Sequence, residues 1–138
     1  MHYIPAKLRR AVIRRAGGRC EYCGLAQAGQ EATFHIDHVV PVTAGGQTVL
    51  ENLAPACVSC SLRKSARQTA VDPQSGKEAV LYNPRLDIWN EHFRWAGVHI
   101  EGITETGRAT IKALGLNRPL VLAIRLEEVE RGRHPVVG

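Results

Sequence analysis

The chain of 138 residues has no long hydrophobic run. Its longest, Leu120-Val121-Leu122-Ala123-Ile124, is far below the ~20 apolar residues of a membrane span, so no membrane partner is expected. No secretory signal is visible either. Arg9, Arg10, Arg14 and Arg15 interrupt the only early apolar stretch, which points to a cytoplasmic protein. There is no internal repeat and no low-complexity tract. Aromatic residues are scarce, at 5%, while 44% apolar and 22% charged residues are ordinary for a soluble globular chain. That balance excludes wholesale disorder, collagen and coiled coil. The length suits one domain and is short for two independent ones.

Charge is unevenly spread. Residues 1–19 carry Lys7, Arg9, Arg10, Arg14, Arg15 and Arg19 without one acid. They faintly resemble a transit peptide but contain no serine, and they are read as part of the fold. Residues 20–60 reverse the pattern, with Glu21, Glu31, Asp37 and Glu51 and no Lys or Arg, before Arg63, Lys64 and Arg67 restore positive charge. Two basic blocks around an acidic stretch fit phosphate contacts flanking a cation site; solvated helix faces would give the same pattern.

All four cysteines lie in two pairs, Cys20-x-x-Cys23 and Cys57-x-x-Cys60, with 33 residues between them. Two short knuckles suit a tetrahedral zinc ion, since each two-residue spacer lets both sulfurs face one point. A redox pair would need a βαβ context that is absent, and disulfides are disfavoured without secretion. Four thiolates leave no open coordination position, so this zinc is expected to be structural.

Between the knuckles, residues 33–40 are rich in β-branched and apolar types and read as a strand ending at Pro41. Residues 41–51 read as a loop, residues 52–54 as a short extended piece, and residues 61–68 as a helix leaving the second knuckle. Upstream, Pro5 to Ala16 reads as a helix stopped by Gly17-Gly18. Asp72-Pro73-Gln74-Ser75-Gly76 is a turn cluster and the best boundary candidate, which divides the chain into residues 1–70 and 71–138. Past it, Phe93/Trp95 and Val98/Ile100 alternate around Gly97 as a hairpin. Residues 105–114 and 119–131 read as helices, the second with Asn117 near its cap.

The strand carries His35-Ile36-Asp37-His38. An adjacent carboxylate and imidazole suit metal-assisted hydrolysis, the carboxylate holding a hard divalent cation and the imidazole taking a proton from water. Strand alternation would point them to opposite faces, so the strand must twist or end there for the two to converge.

Together, Cys20-x-x-Cys23, Ile36-Asp37-His38-Val39-Val40-Pro41, Gly45-Gly46, Asn52-Leu53 and Cys57-x-x-Cys60 followed by Leu62-Arg63-Lys64 resemble the HNH endonuclease family over about residues 8–70. Asn83-Pro84-Arg85, Trp89, Glu91-His92-Phe93 and residues 107–110 look like an extension found in some bacterial members. The resemblance implies an α+β fold: a ββα-metal core with its four-cysteine zinc site, plus a small α+β extension. It further implies that His38 is the general base for water attacking a DNA phosphodiester, and that Asp37 holds one magnesium or manganese ion. Asn52 would orient the loop and the base. Arg9, Arg10, Arg14, Arg15, Arg63, Lys64 and Arg67 would contact phosphates, largely independently of sequence.

One position departs from the family. Many members have Asn or His directly after the last cysteine, where this chain has Ser61. Three arrangements are compatible with serine: Ser61 binds the ion directly or through water, another group such as His35 or the Glu91-His92 pair replaces it, or the site is silent. The expected function is therefore a DNA-cutting HNH endonuclease; the alternative is a catalytically silent zinc-knuckle module that binds nucleic acid. No obligate protein partner is evident, and a monomer or weak dimer is expected.

Overall fold

A computed structural model describes residues 3–135. The chain divides into two compact units, Met1–Arg67 with Asn83–Leu86, and Gln68–Tyr82 with Asp87–Gly138. This division differs from the expected split at residue 70 in two respects. The break falls after Arg67, and residues 83–86 return to the first unit. Arg85 explains the return, because its guanidinium donates to the Glu21 carboxylate and, at 3.3 Å, to the Leu53 carbonyl.

The first unit begins with α1 (Ala6–Arg15), which buries Val12 and stops where Gly17 and Gly18 take positive φ. Strands β1 (His35–His38) and β2 (Leu53–Ala56) pair antiparallel, His35 opposite Ala56 and His38 opposite Leu53. Every residue of β2 is buried. Helix α2 (Val58–Lys64) follows directly, which completes a strand–loop–strand–helix core.

Both central elements are shorter or earlier than the sequence suggests. β1 stops at His38 rather than Val40, because the Val39 amide donates to the Asn52 backbone carbonyl and the Val40 amide to the Asn52 side chain. α2 starts inside the second knuckle rather than at Ser61, since Cys57 is its N-cap and accepts from the Cys60 amide. It ends at Ser65, whose φ of 48° is left-handed and unusual for a residue with a side chain.

In the second unit, the presumed boundary at Asp72–Gly76 is the turn of a hairpin, β3 (Thr69–Val71) against β4 (Glu78–Val80). Asp72 is fully buried there, accepts from the Gln74 and Ser75 amides, and takes a two-pronged bond from Arg108 at 3.0 and 2.9 Å. Three-residue strands carry too little alternation to be seen in a sequence. A short helix, α3 (Trp89–His92), leads into the expected hairpin of β5 (Phe93–Ala96) and β6 (His99–Gly102), with Gly97 turning at φ 62°.

Helix α4 (Glu105–Leu114) is capped by the Thr104 hydroxyl, which accepts from the Gly107 amide, and α5 (Pro119–Glu130) follows. Asn117 does not cap α5. Its side-chain amide instead exchanges two bonds with the Ile100 backbone on β6. Trp89 packs on Phe93 and Trp95 with ring centroids 5.0 and 5.3 Å apart, and the Arg125 guanidinium lies over Trp95. These rings are spent on packing rather than presented as a stacking platform for bases. Among the described residues no helix is long and apolar enough to cross a membrane.

The Arg108 guanidinium holds the Asp72 carboxyl well below its ordinary value of 3.8. A depressed acid contributes stability that is complete above the ordinary carboxylate range and is lost as pH falls below it. Thermal melts from pH 7 down to pH 2 are expected to show the second unit weakening below about pH 4. Asp72→Asn is expected to flatten that acid limb while lowering the midpoint at neutral pH.

Candidate functional site

The two knuckles meet. The four cysteine sulfurs lie within 4.8 Å of one another and all four residues are buried. Cys23 and Cys57 approach to 3.7 Å across the knuckles. Within each knuckle the second cysteine's amide donates to the first sulfur, Cys23 to Cys20 at 3.5 Å and Cys60 to Cys57 at 3.4 Å. A tetrahedral zinc with bonds of about 2.3 Å would set sulfur–sulfur edges of about 3.8 Å, so the cluster has the size zinc requires. Gly24, at φ 81°, supplies the backbone turn that closes the first knuckle.

Beside this cluster, an open cleft of about 790 Å³ is lined by His35, Asp37, His38, Ser61 and Arg9, among others. Asp37 and His38, the last two residues of β1, both line it. The His38 ring is oriented by Thr48, with Nε2 and Oγ1 2.9 Å apart. Asn52 clamps the loop between them: its Oδ1 accepts from the Val40 amide at 2.9 Å, and its Nδ2 donates to the Val40 and Gln47 carbonyls at 3.1 and 2.9 Å. The loop closes so tightly that a Cβ on Gly46 would stand 1.7 Å from the Val40 oxygen, which only glycine permits. Asn52 does not touch the cleft directly and acts through the loop that follows His38.

Asp37 is held by two groups that the sequence did not single out for that purpose. Tyr22, inside the first knuckle, donates its hydroxyl to Oδ2 at 2.7 Å, and the Lys64 ammonium meets the same oxygen at 3.1 Å. Burial and the neighbouring carboxylate push the Tyr22 phenol well above its usual 10, so it remains a donor throughout the physiological range. Lys64 is buried and also donates to the Val39 carbonyl at 3.1 Å. Its three donors are thus turned inward, and the expectation that Lys64 contacts phosphate is corrected. A lysine near a helix end reads as solvated from sequence; only the packing of α2 on β1 reveals its partner.

The arginines divide. Arg15 places its guanidinium on the Leu50 and Leu53 carbonyls, so its donors tie α1 to the strand β2, which narrows its expected phosphate role. Arg9 lines the cleft, while Arg10, Arg14, Arg63 and Arg67 are exposed. Arg63 donates to the Ser59 hydroxyl, and Arg67 lies beyond the end of α2. Glu21, between the cysteines of the first knuckle, is buried enough that its carboxyl is pushed up to about 7, with Arg15 acting the other way.

Of the groups considered as substitutes at position 61, His35 stands beside it: Nδ1 and the Ser61 hydroxyl are 2.8 Å apart. His92 is bonded to the Thr104 hydroxyl at 2.7 Å, a structural contact at the start of α4.

Removing one Asn52 hydrogen-bond set should be measurable. Asn52→Ala is expected to cost roughly 1–3 kcal/mol of stability in a denaturant melt, about one net kcal/mol per bond lost. Cys57→Ala is expected to abolish the cooperative transition of the first unit and to lower zinc content by atomic emission from one ion per chain. An unshifted transition in that variant would contradict a structural role for the cluster.

Comparison with known proteins agrees with this geometry. The chain is 22% identical over 110 residues to the Septu protein PtuB of Bacillus thuringiensis, a match covering 78% of this chain and 40% of that protein. The chain thus spans well under half the length of that relative. Residues 20–67, which run from the first knuckle past α2, match the family model of the HNH endonucleases. Both knuckles, Asp37, His38 and Asn52 lie inside the matched span, so the likeness to the HNH endonucleases covers the residues of the sulfur cluster and the cleft.

Proposed function

We propose that the protein is a metal-dependent endonuclease that hydrolyses DNA phosphodiester bonds, with His38 as general base and Asp37 as a ligand of one divalent cation. The observation that carries the reading is that Asp37 and His38 line one cleft, each with side-chain partners, Asp37 with Tyr22 and Lys64 and His38 with Thr48. A carboxylate with both partners on Oδ2 keeps a second oxygen for a hard cation. Magnesium or manganese bound there would stabilise charge developing on the phosphate and the departing oxygen.

The chain's own residues divide the remaining work. His38 takes the proton of the attacking water. Lys64 holds the carboxylate in place; its burial restricts it to positioning. Asn52 and Gly46 hold the loop that fixes the end of β1, so the carboxylate–imidazole geometry survives substrate entry. Arg9 at the cleft, with Arg10, Arg14, Arg63 and Arg67 exposed, supplies positive charge for the backbone of the nucleic acid. The four cysteines hold zinc and take no part in the chemistry.

A supercoiled-plasmid assay separates this from the silent zinc-knuckle module. Wild type is expected to nick in magnesium or manganese and not in EDTA, and His38→Ala to lose at least a hundredfold, the usual size of a general-base contribution. Retained, salt-sensitive DNA binding by an inactive wild type would instead establish the binding module. Arg9→Ala is expected to weaken binding in a sequence-independent way and to reduce its dependence on salt.

A further inference from the structure

A cation held by Asp37 in the cleft can take a second protein donor. Asp37 offers one oxygen, because Tyr22 and Lys64 both occupy Oδ2. The position following the last cysteine, Ser61, carries only a hydroxyl, and that hydroxyl already lies 2.8 Å from His35 Nδ1. His38 is oriented by Thr48 and serves as the base. His35 remains. It lies two residues before Asp37 on β1, so strand alternation places both side chains on one face, both line the cleft, and His35 is exposed.

We infer that His35 Nε2, together with Asp37, holds the divalent ion of the cleft, and that Ser61 orients the His35 ring instead of binding the ion. This rests on the reading of the cleft as a cation site and specifies its donors. A ligating histidine characteristically donates its other ring N–H to a fixed acceptor, which sets the tautomer and the ring plane. With Ser61 Oγ accepting from Nδ1–H, the ring keeps an Nε2 lone pair for the ion. Serine at position 61 is then a compensated change: the ligand has moved from the helix to the strand, and the helix retains the orienting partner.

The chemistry of the donors follows. An imidazole nitrogen beside a carboxylate oxygen favours manganese, cobalt and nickel over magnesium more strongly than an all-oxygen site does. Ser61 is a positioning residue, and its loss should weaken the ion less than loss of His35 does.

The test uses the zinc-loaded full chain and manganese(II), followed by electron paramagnetic resonance. Binding isotherms report affinity, and electron spin-echo modulation from nitrogen-14 reports a directly bound imidazole. His38→Ala is expected to retain the nitrogen signal, which excludes the base as its source. His35→Ala is expected to lose the signal and at least tenfold in affinity, with an unchanged melting curve because the side chain is exposed. Ser61→Ala is expected to keep the signal and lose several-fold in affinity. A nitrogen signal that persists in His35→Ala, an unchanged affinity in that variant, or absence of manganese binding by wild type would each overturn the inference. Plasmid cleavage that requires His38, combined with unchanged manganese binding in His35→Ala, would overturn this assignment alone. A nitrogen signal that requires His35 in a protein that cuts no DNA would sustain it and end the nuclease reading.

Discussion

Four buried sulfurs are the constraint on which the first unit depends. The knuckles are separated by 33 residues, and in bringing them within 4.8 Å the fold closes a loop whose ends must arrive in a fixed orientation. The first knuckle then presents Tyr22 towards β1, and the second becomes the opening turn of α2, with Cys57 as the cap. Of the cleft's side chains, Ser61 sits on the helix that the second knuckle opens, and Asp37 is held by Tyr22 from the first. A small unit with few aromatic residues has a limited core, and a metal cross-link supplies rigidity that apolar burial alone would not.

From that anchor the electrostatics of the cleft follow. α2 leaves the sulfur cluster towards β1 and delivers Lys64 to Asp37 and to the carbonyl of Val39. A buried ammonium without a partner would be costly, and so would a buried carboxylate; together they settle one another and fix the strand's last residues. Lys64 also ties down the Val39 carbonyl just past the end of β1. Asn52 performs the same task from the other side, replacing strand partners for the Val40 amide and carbonyl with one side-chain amide.

The second unit is built differently. Its hairpins are short, and polar side chains do much of the joining: Asp72 with Arg108, Asn117 with the Ile100 backbone, His92 with Thr104. Each satisfies backbone or charge that a larger apolar core would have excluded from water by bulk. The tryptophans and Phe93 pack on one another, with Arg125 closing the face of Trp95. The cleft and the sulfur cluster both belong to the first unit.

The amino-acid sequence by itself determined the clustering of the four cysteines and the ββα order, because cysteine spacing and short motifs record local chemistry. Helices α4 and α5 and the hairpin around Gly97 were legible for the same reason: caps, prolines and alternation act within a few residues. Tertiary structure alone decided the rest. Lys64 and Arg15 look like surface cations along the chain, and only folding reveals the carboxylate and carbonyls that claim them. The hairpin at Asp72 looked like a boundary because its strands are three residues long, and its meaning depends on Arg108, 36 residues away. The partnership of His35 with Ser61 joins residues 26 apart on a strand and a helix. Such pairings arise from long-range packing, whose partners no local pattern encodes.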